Sequence, residues 1–438
     1  MDVDYQLLGN HEFNHGREHL EHIIKKLNSK TLNANIIDTE SNEPFLGQAY
    51  DIIKVDDLSI GIIGLTTAFI PHWEPKENYH HLTFVDPLLV LEKHIKQLKD
   101  KVDYLIVAYH GGVEGDLDTL EYNDMTPGEN QGLEILKNFP DVDLLITGHQ
   151  HLTLNQKLGD TLLIQTGSQG SYLFEITIQK DTNGLLQTEC TIHEVPLIPK
   201  TEKQWPFVTP KSQKTLHDWA TQALTHIPTV KNLPQTHIEA SLSNHLFYEL
   251  HNQVQQQVGQ ADFSLTPVPN DAFNHFVGRI TNESLLKSFP FYNKIATLLI
   301  TGNELIDMME YNLAVFNIED NNIHFNYDFT TPYKHHYHFF SFSGFECEAD
   351  LSAPVYQRVR RVIDSSTHDL LIPDKEYTLA VSIYHAVSDH GIPHLSEDKI
   401  IRISEHDSFY YMQEKLQMMD KKAWNTLQTN YTHLKFKQ

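Results

Sequence analysis

The first half of the chain alternates short apolar runs with amphipathic stretches, and this pattern limits the possible folds more than any other feature. Strands are predicted at 4–8, 33–37, 58–65, 104–109, 144–147 and 161–165, with helices at 16–27, 87–99 and 132–139. Strands that alternate with helices through short connections build layered sheets. The sequence therefore predicts an α/β fold, and a length of 438 residues predicts two domains rather than one core.

A proline-bearing connector interrupts the pattern near the middle of the chain. It reads "VPLIPKTEKQWPFVTPK" from Val195, and a helical segment follows at roughly 212–224 before a second α/β pattern begins. We therefore predict a first domain at 1–200, a linker with a helix at 201–228 and a second domain at 229–438.

Charge and cysteine content narrow the classes of partner and compartment. The net charge of −25 argues against a nucleic-acid polymer as partner, because phosphate neutralisation needs clustered Lys and Arg. No apolar run reaches the roughly 18 residues that a membrane helix needs. Cys190 and Cys347 stand alone and far apart, which excludes a disulfide framework. We expect a cytoplasmic monomer or weak dimer without a membrane partner.

Three polar motifs each follow a predicted strand. Asn10 and His11 follow the first strand, His110 ends "YLIVAYH" before two glycines, and His149 and His151 follow "DLLIT". Loops at the carboxyl ends of strands line the crevice where α/β sheets bind ligands, and amide oxygens and neutral imidazoles can bind metal ions. Taken singly, Asn10 also fits a helix cap, His110 fits a buried histidine satisfied by hydrogen bonds, and His149 with His151 fits a chance pair. Together they predict a metal site where three loops meet at one edge of one sheet.

The same motifs resemble those of a known superfamily. "LGNHEFNHG", "VAYHGG" and "LLITGHQH" are similar to calcineurin-like metallophosphoesterases, and "LNANI" and "PGENQGLEIL" resemble the 5′-nucleotidase and 2′,3′-cyclic-nucleotide 2′-phosphodiesterase family. The resemblance implies a layered metallophosphoesterase β-sandwich flanked by helices. It also implies two divalent metal ions (Mn, Zn, Mg, Co or Fe), with Asn10, His110 and His149 on one and His151 on the other. His11 would be the catalytic residue that stabilises charge on the phosphate while the metals activate water.

The beginning of the chain departs from the family pattern. The family places an Asp-x-His loop and a Gly-Asp loop before the Gly-Asn-His-Glu motif, and only eight residues precede Gly9 here. We therefore expect a first domain that lacks its first strands, with a βαβ-sized unit of roughly 30 residues missing. One metal would then keep His151 as its one ligand from the chain.

The second half resembles the family's C-terminal nucleotide-binding domain. The matching pieces include "ADFSLT", "GRITNESLLKSFPFYN" and "KEYTLAVSIYH". The resemblance implies that Phe291 and Tyr384 sandwich the nucleobase, and stacking of this kind suits any base. Relatives carry an arginine where this chain has Ala272, so Asn270 and Asp271 are the candidates for contact with ribose or base.

Together these interpretations predict a phosphoric ester hydrolase with a small-molecule nucleotide as substrate. We expect metal-dependent hydrolysis of the 5′-nucleotidase or 2′,3′-cyclic-nucleotide phosphodiesterase type, in which two metals activate the water that attacks phosphate. Two alternatives stay open: a catalytically impaired fragment or nucleotide-binding pseudoenzyme, and a nuclease of the same superfamily.

Overall fold

The computed structural model describes residues 3–122, 128–182, 184–196, 209–227, 246–268, 278–288, 293–319, 322–326, 339–387, 392–427 and 434–436. The chain divides into two units, Met1–Thr201 and Glu202–Gln438. The division falls at the start of the predicted linker, and the helix inside that linker belongs to the second unit. Within the described ranges, no helix is long and apolar enough to cross a membrane.

The first unit is built on a six-stranded sheet with the strand order β4-β5-β7-β8-β10-β9. Its four inner strands are parallel, and β4 and β9 pair antiparallel at its edges. The inner strands are near-continuous apolar runs, as expected of parallel strands buried on both faces. The strands of this unit are β1 Tyr5–Gln6, β2 Lys30–Thr31, β3 Ile36–Asp38, β4 Tyr50–Val55, β5 Leu58–Thr66, β6 Leu82–Phe84, β7 Tyr104–His110, β8 Leu144–Thr147, β9 Thr153–Leu158, β10 Thr161–Thr166, β11 Tyr172–Lys180 and β12 Leu186–Glu194.

Helices cover one face of this sheet and a two-stranded ribbon covers the other. Those that pack on it are α2 Pro87–Leu98 and α3 Gly132–Asn138; another helix of this unit, α1 Arg17–Ile24, precedes them in the chain. Asp86 caps α2 by accepting from the amide of Leu88, and Pro87 occupies its first turn. On the opposite face, apolar side chains of β11 and β12 pack against strand residues such as Tyr104, whose hydroxyl bonds Thr188 at 2.7 Å. These layers confirm the predicted α/β class.

The first strand differs from its prediction. β1 has only two residues and pairs in parallel with β2, outside the six-stranded sheet. The predicted strand at 33–37 is also broken, because the buried side chain of Asn33 turns the chain there: its amide donates to the carbonyls of Ile36 and Phe45, and its oxygen accepts from the amide of Ile36. The expectation that all three motif loops leave one sheet was therefore wrong.

The second unit has its own sheets and its own core. Its main sheet has the order β19-β14-β22-β16-β23, and a three-stranded sheet has the order β21-β20-β24. Its helices are α4 Pro210–Thr221, α5 Leu246–Gly259, α6 Asn282–Ser288, α7 Gly302–Leu313, α8 Ile383–Val387, α9 Ser408–Met418 and α10 Lys421–Leu427. Its strands are β13 Ala223–His226, β14 Phe263–Pro267, β15 Arg279–Thr281, β16 Lys294–Thr301, β17 Phe316–Glu319, β18 Asn322–Phe325, β19 Phe340–Ser343, β20 Phe345–Ala349, β21 Val359–Asp364, β22 Glu376–Ser382, β23 Ile400–Asp407 and β24 Leu434–Phe436.

Candidate metal centre

The loop after β1 reaches the end of β7 although the two strands belong to different sheets. The hydroxyl of Thr66, at the end of β5, donates to the carbonyl of Leu8 and ties this loop to the large sheet. A side chain at Gly9 would place its Cβ only 2.7 Å from the His110 ring, so a glycine is required for the close approach. As a result, Oδ1 of Asn10 and Nε2 of His110 lie 2.9 Å apart.

The loop after β8 holds His149 and His151 in an unusual backbone conformation. Their φ angles are 67° and 61°, in the left-handed region that few residues other than glycine adopt. The side chain of Gln150, between them, bonds both the amide and the carbonyl of Val113. This pair of bonds anchors the loop beside the segment that follows His110, and strain of this kind is typical of functional sites.

The ring of His149 is held by a carboxylate that the sequence did not single out. Nε2 of His149 lies 2.9 Å from Oε1 of Glu129, and because an ionised carboxylate only accepts, Nε2 carries the proton. Trp73 lies against the same ring with centroids 5.1 Å apart, and the rings of His149 and His110 are 5.7 Å apart. Protonation at Nε2 leaves Nδ1 as the nitrogen of His149 that can bind a metal.

Electrostatics favour the neutral imidazole at His110 and at His151. Burial, together with the nearby rings of His149, His11 and His151, lowers the pKa of His110 to about 3. Burial and the nearby rings of His149 and His11 also lower the pKa of His151. The neutral ring is the form that binds metal ions. His11, His149 and His151 thus lie close enough to His110 to act on its charge, and Asn10 contacts its ring directly.

His11 begins a short 3-10 helix, His11–Phe13, directly after Asn10. Its side chain is exposed, while Phe13 is buried and packs edge-on against Phe84. Nδ1 of His11 lies 2.8 Å from Oδ1 of Asn14, and Nδ2 of Asn14 donates to the buried Glu74. Neither Asn14 nor Glu74 was predicted, because no local pattern marks an asparagine or a glutamate as a partner of a histidine.

The predicted base-binding residues are only partly described. Tyr384 lies in α8 and is half-buried, with its ring 5.1 Å from that of His385. Phe291, Asn270 and Asp271 lie outside the described residues. Their assignment stays a prediction.

The donor set of the first unit fits one divalent ion better than two. Asn10, His110 and His149 offer one amide oxygen and two ring nitrogens, which suit borderline ions such as Zn²⁺, Mn²⁺ or Co²⁺. In the part of the chain that the structure describes, no three His, Cys, Asp or Glu side chains are grouped to hold an ion. The set named here has only two histidines and takes its third donor from the amide of Asn10. Among the predicted ligands, His151 alone remains for a second ion. The buried Nε1 of Trp73, beside His149, has no hydrogen-bond partner within the described ranges.

Two family models match the chain. The calcineurin-like phosphoesterase model matches residues 3–152, which contain every predicted metal ligand. The model of the 5′-nucleotidase C-terminal domain matches residues 217–397. The predicted resemblance to these two families is confirmed, whereas neither match tests the expectation that the first strands are missing.

Comparisons with individual proteins agree with the two models. A 2′,3′-cyclic-nucleotide 2′-phosphodiesterase/3′-nucleotidase of Salmonella typhimurium is 30% identical over 160 residues, which are 34% of this chain and 24% of that protein. An endonuclease of Bacillus subtilis is 24% identical over 72% of this chain and 26% of its own length. The chain thus spans about a quarter of the length of these relatives.

A solved structure covers nearly the whole chain. The crystal structure of a putative 5′-nucleotidase from Staphylococcus aureus superimposes with a TM-score of 0.84 and 26% identity, over 99% of this chain and 83% of that one. Both units therefore have the predicted architecture. Residues 3–152 thus match the calcineurin-like phosphoesterases, and residues 217–397 match the 5′-nucleotidase C-terminal domain.

Proposed function

We propose that this chain is a divalent-metal-dependent hydrolase of nucleotide phosphoesters, of the 5′-nucleotidase or 2′,3′-cyclic-nucleotide phosphodiesterase type. The observation that carries the proposal is the 2.9 Å approach of Asn10 Oδ1 to His110 Nε2, beside the ring of His149. Asn10 and His149 come from two loops and His110 ends β7, so remote parts of the first unit bring an amide oxygen and two imidazole rings close together. Such a set is typical of a metal centre that acts on phosphate.

Each residue of the site would have a distinct task. Asn10, His110 and His149 would hold an ion, which as a Lewis acid would polarise the phosphate and lower the pKa of a bound water. Glu129 orients the ring of His149 through the bond at Nε2. His11 would donate a hydrogen bond to the phosphate or to the leaving oxygen. Tyr384 would stack on the base, together with the predicted partner Phe291.

The proposal is tested by phosphate release from a nucleotide panel. The purified chain is incubated with 5′-mononucleotides and 2′,3′-cyclic nucleotides in the presence of Mn²⁺, Mg²⁺, Co²⁺ or Zn²⁺, with and without a chelator. We expect release that needs a metal and is lost in His149→Ala. The matched control is His193→Ala, since that histidine also bonds a glutamate through Nε2 but lies exposed on the β11–β12 ribbon. Absence of release with every metal contradicts the proposal.

The two alternatives give different results in the same experiments. A pseudoenzyme would bind nucleotide tightly in calorimetry without metal and without turnover. A nuclease would degrade single- or double-stranded DNA faster than it releases phosphate from mononucleotides. The similarity to the Bacillus subtilis endonuclease supports the second alternative, whereas the net charge of −25 disfavours a polymeric phosphate chain as ligand.

A further inference from the structure

A row of side-chain hydrogen bonds leads from His11 into the protein interior. Nδ1 of His11 lies 2.8 Å from Oδ1 of Asn14, and Nδ2 of Asn14 donates to Oε1 of Glu74. The other oxygen of Glu74 accepts from Nδ2 of Asn78 at 2.7 Å. Glu74 is only 7% exposed and follows the short helix Ile70–His72, far along the chain from His11.

The direction of each bond follows from Glu74. Burial raises the pKa of Glu74, and the hydrogen bonds from Asn78 and Asn14 oppose that rise. With its carboxyl ionised, Glu74 has no proton to donate, so each of its oxygens accepts an amide N–H. Asn14 must therefore turn its NH₂ group toward Glu74 and its carbonyl oxygen toward His11. Because that oxygen also only accepts, Nδ1 of His11 must carry the proton. The neutral ring then has its lone pair on Nε2.

The row can transmit orientation but not a proton. An amide does not ionise under ordinary conditions, so Asn14 cannot pass a proton from His11 to Glu74. The hydrogen bonds therefore determine only the tautomer of His11, because the partner of one ring nitrogen sets which of the two nitrogens is protonated. A rotated Asn14 would present its NH₂ group to Nδ1 and favour the opposite tautomer.

We propose that Glu74 is a positioning residue that, through Asn14, holds His11 in the tautomer protonated at Nδ1. Nε2 is then the atom that faces the phosphoester, and in the protonated ring it is the atom that donates to a phosphate or leaving oxygen. The catalytic part of this inference rests on the proposed function. The tautomer itself does not, since it follows from the three hydrogen bonds and the ionised carboxylate of Glu74.

The tautomer is measured by two-bond ¹H–¹⁵N spectra of histidine-labelled protein, with the His11 signals assigned through His11→Gln. We expect the wild type to show Nδ1 protonated and Nε2 unprotonated. In Glu74→Gln the new amide offers Asn14 both a donor and an acceptor, so the preference is lost and both tautomers appear. Asn78→Ala is the matched control. It removes the other donor to Glu74 and a 3.4 Å bond to the backbone carbonyl of Asn14, but it leaves the side-chain bonds from Glu74 to His11 in place, so its spectrum should match the wild type.

A double variant separates positioning from general loss of structure. In Asn14→Asp/Glu74→Gln, the NH₂ of the new glutamine donates to the new aspartate, whose other oxygen accepts from His11. This exchange should restore the wild-type tautomer. A wild-type spectrum in folded Glu74→Gln overturns the inference, and so does a folded double variant that stays mixed. Thermal melting of each variant shows whether it is folded.

Turnover is a second and separate readout. We expect the kcat for phosphate release to fall by at least about tenfold in Glu74→Gln, since positioned proton transfer contributes roughly 10²–10⁴-fold to rate. KM should stay unchanged, and the double variant should regain the wild-type kcat. If the tautomer shifts as expected but the wild type releases no phosphate, the proposed function fails and the inference about Glu74 stands. A shifted tautomer with unchanged kcat overturns its catalytic part.

Discussion

The bond between Glu129 and His149 allows a quantitative test of the metal centre. The two side chains lie 2.9 Å apart and are 17% and 13% exposed, so water screens the bond only partly. The bond also stabilises the ring of a residue whose backbone is strained, at a φ of 67°. Loss of such a partner of a metal-binding histidine costs roughly 10–100-fold in metal affinity. This corresponds to about 1.4–2.7 kcal/mol in binding free energy, which we expect for Glu129→Ala.

A second substitution separates the contribution of the carboxylate charge from that of the hydrogen bond. Glu129→Gln keeps an oxygen that can accept from Nε2 but removes the negative charge. Charge-assisted hydrogen bonds are roughly twice as strong as neutral ones, so we expect this variant to lose about half as much binding free energy as Glu129→Ala. An equal loss in both variants would mean that the charge, rather than the geometry of the bond, governs the ring.

The assay is calorimetric titration of Mn²⁺ or Zn²⁺ into each protein. Glu175→Ala is the matched control, because Glu175 bonds Nε2 of His193 at 2.8 Å in the same way, with the two side chains 63% and 48% exposed and outside the proposed centre. We expect wild-type affinity from this control. Unchanged affinity in Glu129→Ala, or an equal loss in the control, refutes the reasoning. Absence of binding by the wild type refutes the metal centre itself.

Three further predictions concern packing, pH and the base. Gly9→Ala should weaken metal binding, measured by calorimetry, because its Cβ would lie 2.7 Å from the ring of His110. Gly148→Ala is the control and should bind metal like the wild type, because its Cβ would lie 3.5 Å from the same ring. Burial raises the pKa of Glu114 to about 7, so its protonated form is favoured in the folded state. Stability from this group is fully present below the unfolded pKa of about 4.5 and is lost as pH rises toward 7. Urea unfolding should show that loss in the wild type and not in Glu114→Gln. Tyr384→Ala should raise KM for nucleotides by about fivefold or more, since base stacking is worth about 1–3 kcal/mol, while kcat changes little; an unchanged KM contradicts the stacking assignment.

The strands that support the site could be predicted from the sequence. β5, β7, β8 and β10 lie within one residue of their predicted ends, because each is a near-continuous apolar run and this signal is local. The positions of His110 and His149 at the ends of such runs were visible for the same reason. What the sequence by itself determined was thus the four inner strands of the large sheet and the histidines at or just after the ends of two of them, whereas its edge strands β4 and β9 were not predicted.

The tertiary structure alone decided how these histidines are held. Asn10 meets His110 across 100 positions of the chain, and Asn14 meets Glu74 across 60. The partner of β1 and the turn at Asn33 also depend on contacts with distant backbone groups. No local propensity encodes such pairs, because they form only when packing brings remote segments together and leaves their buried polar groups in need of partners. For that reason Glu129, Asn14 and Glu74 could be found only in the folded chain.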